Sequence, residues 1–292
     1  MIKREESSHL GLVGCGLGHS LSKLIHEYSL DQLHLKGAYD LYEIKSEQQV
    51  KKFMRDFWDQ GGSGLNMTAP YKIFAADLFQ IPNLPSINTL YRREDSSYWS
   101  ATSTDGEGFL RGLQRMGCDP SLLQHVVFLG AGGATLALAK SFNALKKNNI
   151  SILCRSPLSA RVMYEMNLVR CSFFPLSLEN FKRVLGLDNA QMNNERPICS
   201  QEQTLVVQAT PVRDENLGLF AENLFRFRGY VSDLLYGPSV FYEKVSKGLS
   251  VSQDGLSMLI EQALLAQKIW WGRCCDFHEV KEFLNVCFRK TN

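Results

Sequence analysis

Hydrophobic and polar positions along the chain alternate between two periods. A short apolar run over 10–14 ends in glycine, the pattern of a strand entering a turn. A helix over 20–30 is predicted next, with Ser20 as its N-cap. Residues 39–44 alternate like a strand. Val50, Phe53, Met54, Phe57 and Trp58 then recur at helical spacing until Gly61-Gly62 stops them. A strand over 64–68, ended by Pro70, a helix over 73–79 and a strand over 87–91 complete this half.

The same alternation resumes downstream. Thr104-Asp105-Gly106-Glu107 is a capping-box pattern ahead of Phe109, Leu110 and Leu113. A continuous β-rich run over 126–129 leads into Gly130-Ala131-Gly132-Gly133-Ala134-Thr135. A helix over 136–145 and a strand over 150–154 follow. Further strands are predicted over 205–208 and 230–234, a polar surface loop within 186–203 and a helix over 258–271. Strand, glycine turn, helix, strand is the order of a doubly wound nucleotide-binding domain. The fold class expected is therefore α/β: an N-terminal α/β domain and a Rossmann-like doubly wound domain over 106–240. The C-terminal helices are expected to return to the first domain, joining 1–105 and 241–292 into one discontinuous unit.

Composition narrows the class. A chain of 292 residues has room for two domains. Its 45% hydrophobic and 21% charged residues exclude disorder, collagen and coiled coil. With 32 basic and 30 acidic residues the net charge is +2, which gives no electrostatic reason to invoke nucleic acid or an anionic membrane. The eight cysteines form no C-x-x-C, and the N-terminal residues show no hydrophobic stretch like a signal peptide's. Reduced thiols in a cytoplasmic protein are expected. The longest uncharged apolar-rich run, 126–139, is too short to span a bilayer and carries three glycines.

Gly130-x-Gly132 permits a tight turn and lets a phosphate approach the backbone, while the helix behind it offers unpaired N–H groups to a pyrophosphate. An ordinary glycine turn is the plainer alternative. The next strand ends in Cys154-Arg155-Ser156, with an arginine and no carboxylate where a ribose 2′-hydroxyl or 2′-phosphate would be read, which favours NADP. Ser20 and Ser22 place two hydroxyls in a glycine-rich turn, able to hold a carboxylate or to cap a helix. Asn66 and Thr68 share one face of a strand, followed by Lys72. Alone, Lys72 reads as a solvated helix lysine and Asp105 as part of a helix start. Gln262 lies on a helical stripe with Met258, Leu265, Ala266 and Ile269. A backbone carbonyl or a ligand hydroxyl would equally satisfy its amide. The histidines show no metal-ligand spacing and no Ser-His-Asp set is visible.

Taken in order, these segments resemble the shikimate dehydrogenase family over nearly the whole chain. Residues 14–22, Gly-Cys-Gly-Leu-Gly-His-Ser-Leu-Ser, match G-x-P-x-x-H-S-x-S, with Gly16 in the proline position. Residues 66–72 match N-V-T-x-P-[YF]-K, 87–90 match V-N-T-L, and 103–106 match N-T-D-G. The glycine turn at 130–134, Cys154-Arg155-Ser156, Gln208-Ala209-Thr210-Pro211, Asp233 to Pro238 and Gly255 to Gln262 match later family motifs.

The resemblance implies NADP-dependent, reversible reduction of 3-dehydroshikimate to shikimate, a step toward chorismate and the aromatic amino acids. Lys72 and Asp105 would be the catalytic pair. Ser20 and Ser22 would bind the substrate carboxylate, and Thr68, Asn88, Tyr236 and Gln262 would bind its hydroxyls or line its pocket. Gly130, Ala131, Gly132, Gly133, Ala134, Arg155, Ser156, Leu234, Gly255 and Met258 would contact NADP. The substrate-binding domain would be the discontinuous one, and the protein a monomer or homodimer without metal. Hydride arriving at a ketone carbon leaves negative charge on oxygen, which a lysine ammonium can stabilise and protonate. Departures from the family pattern are Gly16, Ser103, Cys154, Gln208, Val212-Arg213 and Phe241, several of them on the cofactor side. The alternatives are a quinate/shikimate dehydrogenase using NAD and a catalytically silent ligand-sensing relative.

Overall fold

The computed structural model describes residues 7–145, 149–155, 171–187, 200–211 and 215–291. They form two compact units, Met1–Gly108 with Leu259–Asn292, and Phe109–Met258.

The first unit is built on a five-stranded mixed sheet of β1 (Ser8–Gly14), β2 (Gly37–Glu43), β3 (Gly64–Met67), β4 (Thr89–Tyr91) and β5 (Ser100–Thr102), in the order β2-β1-β3-β4-β5. β1 pairs parallel with β2 and β3, whereas β4 and β5 run antiparallel. Its helices are α1 (Ser22–Gln32), α2 (Glu47–Asp59), α3 (Tyr71–Phe79), the start of α4 (Asp105–Arg115), most of α9 (Leu256–Trp271) and α10 (Phe277–Thr291). Val50, Met54 and Phe57 form the buried stripe of α2 and meet Leu65, Met67, Leu90 and Trp99 in one core. Ser46 caps that helix by accepting the Gln49 N–H. Gly64 is needed where α9 crosses the sheet: a Cβ there would sit 2.3 Å from the Trp270 indole nitrogen, which donates to the Leu90 carbonyl.

The second unit holds a six-stranded, fully parallel sheet: β6 (His125–Leu129), β7 (Asn149–Cys154), β8 (Cys171–Pro175), β9 (Thr204–Gln208), β10 (Tyr230–Asp233) and β11 (Val251–Gln253). The order β11-β10-β9-β6-β7-β8 is the doubly wound arrangement, reversing between β6 and β9. β6 and β9 are buried at every position, as expected of central parallel strands with continuous apolar sequence. Helices α5 (Gly133–Ala144), α6 (Leu178–Leu185), α7 (Glu215–Glu222) and α8 (Val240–Val245) belong to this unit. Among the described residues no helix is long and apolar enough to cross a membrane.

Three expectations need correction. Residues 241–258, expected with the N-terminal domain, lie in the second unit. β11 pairs with β10, and Phe241 and Val245 fill the core beside Val231, so local burial overrides the assignment. Ser20 does not directly precede a helix. It closes the 3₁₀ turn Leu17–His19, Leu21 takes the N-cap position of α1, which begins at Ser22, and Ser20 Oγ accepts the Ser22 N–H. The helix after the glycine turn starts at Gly133 rather than 136. The expected loop within 186–203 lies largely outside the described residues.

Two histidines sit neutral inside the units. Burial pushes His26 down to about 3 and His125 to about 4, from an ordinary 6.5. The unfolded chain therefore binds more protons over this interval, and each contribution is lost as pH falls from about 6.5 toward those values. Stability is expected to decline on acidification by up to about 1.4 kcal/mol per pH unit for each histidine. Thermal unfolding at about pH 7 and about pH 5 checks this, and the decline should shrink in His26→Phe.

Candidate active site

The strand directions of the first unit bring four loops to one end of its sheet. β1 and β3 run parallel and finish there. β4 runs the opposite way and starts there, and β5 finishes there. Ser20 and Ser22 follow β1, Thr68 and Lys72 follow β3, Asn88 precedes β4, and Asp105 follows β5. In an open α/β sheet this is the end at which ligands bind. Gly14 is required at the close of β1, because a Cβ there would lie 2.3 Å from Thr68 Cγ2 and 2.8 Å from Leu17.

Lys72 Nζ lies 2.7 Å from Asp105 Oδ2, with 17% of the lysine side chain and 3% of the aspartate side chain exposed. The lysine, which alone read as a solvated helix residue, is half-buried and held in an ion pair. Asp105 starts α4, where the helix dipole favours a negative charge. Its second oxygen accepts Asn88 Nδ2 at 2.9 Å.

Asn88 is the hub. Its Nδ2 also approaches Thr104 Oγ1 at 2.9 Å and Gln262 Oε1 at 3.2 Å. Its Oδ1 accepts the Thr104 N–H at 2.8 Å and the Thr89 hydroxyl at 2.9 Å. The alternatives left open for Gln262 are partly decided: its Nε2 donates to the Leu259 carbonyl at 2.8 Å while its oxygen faces Asn88. The stripe it shares is partly buried: Met258 and Ala266 are buried and Leu265 is half-buried. Ile269 is 37% exposed, whereas Ile260, Ala263, Leu264 and Gln267 on the opposite faces are buried. Close passage of α4 and α9 sets its position, since a Cβ on Gly108 would lie 2.7 Å from the Gln262 backbone nitrogen.

The network extends to residues that sequence reasoning did not place in the site. Asn66 Nδ2 donates to the Asn88 carbonyl at 3.0 Å and to Thr89 Oγ1 at 3.2 Å. Tyr39, fully buried on β2, donates to Asn66 Oδ1 at 2.8 Å. Burial holds the Tyr39 phenol well above its ordinary value, so it stays a donor. Ser22 is buried, Ser20 and Thr68 half-buried. No local pattern marks Tyr39 or Thr104 as part of this set, because parallel pairing across β1 and the β4–β5 hairpin bring them there.

In the second unit the glycine turn stands at the reversal between β6 and β9. Gly130 has φ +106°, and a Cβ there would lie 2.9 Å from Thr210 Cγ2. Gly132, the N-cap of α5, has no side-chain cap, and a Cβ there would meet nothing within 4 Å. Thr135, fully buried, donates to the Gly130 carbonyl at 3.1 Å and tightens the turn, while Ala131, Gly133 and Ala134 are half-buried around it. Arg155 is exposed at the end of β7, and Ser156 lies outside the described residues. Leu234 follows β10. Gly255 packs so closely behind it that a Cβ would lie 2.2 Å from the Leu234 carbonyl oxygen. Met258 is buried, and Tyr236 is half-buried on this unit rather than on the one carrying Lys72. An uncapped helix start behind an open glycine turn fits a pyrophosphate. Gln208, where the family pattern has asparagine, accepts the Thr210 N–H and hydroxyl and approaches Asp233 Oδ1 at 3.4 Å, holding the end of β9 to the end of β10.

The hub is testable. Asn88→Asp keeps the shape but sets a second carboxylate against Asp105 and withdraws the two N–H donors. A loss of about 3 kcal/mol, read as a lowered thermal midpoint, is expected, with Asn88→Ala costing about 2.

Comparison with known proteins agrees with this geometry. A family model described as the shikimate dehydrogenase substrate binding domain matches residues 12–82. A shikimate dehydrogenase (NADP(+)) of Bacillus cytotoxicus is 26% identical over 285 residues, covering 94% of this chain and 96% of the relative. The crystal structure of a Thermus thermophilus shikimate 5-dehydrogenase, in complex with NADP(H) and shikimate, is 25% identical with a TM-score of 0.72, over 96% of this chain and 99% of that one. The Listeria monocytogenes shikimate 5-dehydrogenase, solved with shikimate and NAD, shares the fold at 21% identity and a TM-score of 0.77, over 95% and 96% of the two chains. With the substrate-domain match, the near full-length relatives and the common fold in agreement, the chain is similar to shikimate dehydrogenases over nearly its whole length.

Proposed function

We propose that this chain catalyses the reversible NADP-dependent reduction of 3-dehydroshikimate to shikimate. The observation that carries the reading is the Lys72–Asp105 pair, 2.7 Å apart at the ligand-binding end of the first sheet. Relatives of nearly equal length bearing the same activity in their names support it.

NADPH, when bound, supplies the hydride. The open turn at Gly130 to Ala134 would hold its pyrophosphate, Arg155 its 2′-phosphate, and Leu234, Gly255 and Met258 would line its path. Ser20 and Ser22 present hydroxyls to the substrate carboxylate. Asn88, Thr68 and Gln262 present an amide, a hydroxyl and a second amide to the ring hydroxyls, with Tyr236 as a further substrate contact. The Lys72 ammonium stabilises negative charge developing on the carbonyl oxygen and delivers the proton to it. Asp105, fixed by Asn88, holds the ammonium in one position. In the oxidative direction a neutral Lys72 takes the hydroxyl proton. The enzyme is expected to act in the cytoplasm as a monomer or homodimer, without metal or nucleic acid.

Purified protein with shikimate and NADP is expected to generate NADPH, followed by its near-ultraviolet absorbance, with NAD and quinate run in parallel. Turnover with quinate or NAD selects the broader dehydrogenase, and silence in all four mixtures selects a ligand-binding relative. Lys72→Ala is expected to lower kcat by about 10²- to 10⁴-fold while calorimetry still detects shikimate binding. Near-normal kcat in that variant removes Lys72 from the mechanism.

A further inference from the structure

The turn carrying Ser20 and Ser22 is built differently from one with proline at position 16. Proline fixes φ near about −65° and has no N–H. Gly16 has φ +68° and donates its N–H to Glu43 Oε1 at 2.7 Å. The next amide, Leu17 N–H, donates to Glu43 Oε2 at 3.3 Å. Both carboxylate oxygens of the last β2 residue thus grip consecutive amides at the entrance to the 3₁₀ turn. The neighbouring contacts run the same way. The Ile44 N–H donates to the Gly14 carbonyl at 3.1 Å, Cys15 Sγ donates to the Ile44 carbonyl at 2.8 Å, and the Cys15 N–H donates to the Ala69 carbonyl at 3.3 Å. The segment that delivers the two serines is therefore laid along the end of β2. Gly16 meets nothing within 4 Å of a Cβ position, so packing does not hold its left-handed conformation.

We propose that Glu43 is a positioning residue for substrate binding: its carboxylate clamps the Gly16 and Leu17 amides and takes over the restraint that a proline at 16 would supply. It acts through the turn and does not itself meet the substrate. The proposal rests on the reading of Ser20 and Ser22 as carboxylate binders. Without the clamp, Gly16 regains its freedom of φ, and the two hydroxyls must be ordered at the expense of binding. The loss falls on ground-state affinity rather than on proton transfer, because the Lys72–Asp105 pair is anchored separately through Asn88.

Glu43→Ala is expected to raise the KM for shikimate about five-fold and to leave kcat within about two-fold. Glu43→Gln, which keeps one acceptor oxygen, should fall between that variant and the parent chain. Glu47→Ala removes an exposed carboxylate on the first turn of α2, and should change neither constant. Amide hydrogen exchange, read without ligand, should quicken in residues 15–22 of Glu43→Ala and stay unchanged in α2. A fall in KM on removing Glu43, or an equal rise in Glu47→Ala, overturns the proposal, since charge near the substrate rather than the clamp would then be acting. Unaltered exchange in 15–22 overturns it as well. If the parent chain does not turn over shikimate, the catalytic reading fails, and the exchange measurement still decides whether Glu43 holds the turn.

Discussion

A carboxylate with 3% of its side chain exposed must have its charge met within the fold. Asp105 has it met three ways: the Lys72 ammonium on one oxygen, the Asn88 amide on the other, and the start of α4 beneath it. These demands reach outward. Asn88 can serve Asp105 only if its own carbonyl oxygen is satisfied by the Thr104 N–H and the Thr89 hydroxyl. Thr89 and the Asn88 backbone carbonyl in turn accept Asn66, which is held by Tyr39. A continuous polar network thus runs from the buried Tyr39 on β2 to the lysine proposed to carry the proton. Such networks rigidify a site when every member is satisfied, and lose that effect when one drops out.

The sheet topology makes the network possible. With all strands parallel, the beginning of β4 would lie at the opposite end from Lys72. The change to antiparallel pairing at β3–β4 places Asn88 beside the end of β3, and the β4–β5 hairpin returns the chain so that Thr104 and Asp105 arrive at the same end. The second unit keeps a purely parallel sheet, in which the glycine turn and the start of α5, without a side-chain cap, stand at the reversal between β6 and β9. One unit converges side chains, the other presents backbone N–H groups, and each suits the part assigned to it: proton delivery and hydroxyl recognition in the first, phosphate binding in the second.

Among the described residues, several departures from the family pattern are accommodated by their surroundings. Gly16 gains a pair of amide contacts to Glu43 that a proline could not offer in full. Gln208 fills its place with bonds to Thr210 and Asp233. Cys154 is buried at the end of β7, where a small apolar group suits the core. Ser103 Oγ is buried without a hydrogen-bond partner, and nothing in the structure explains the serine there.

The sequence by itself determined the α/β class, the strand–glycine–helix unit at 126–145, and the short motifs holding Ser20, Lys72, Asp105 and Gln262. These are signals within a few residues of one another: apolar period, glycine with special backbone demands, and the order of motifs along the chain. It did not determine that Lys72 is paired rather than solvated, that Asn88 is the centre of the site, or that Tyr39, Asn66 and Thr104 support it. Strand β5 carries one hydrophobic residue and has no readable pattern, yet it places Asp105. The extent of the second unit to Met258 depends on β11 pairing with β10. Each of these depends on partners far apart along the chain, brought together by strand pairing and burial, and only the tertiary structure could decide them.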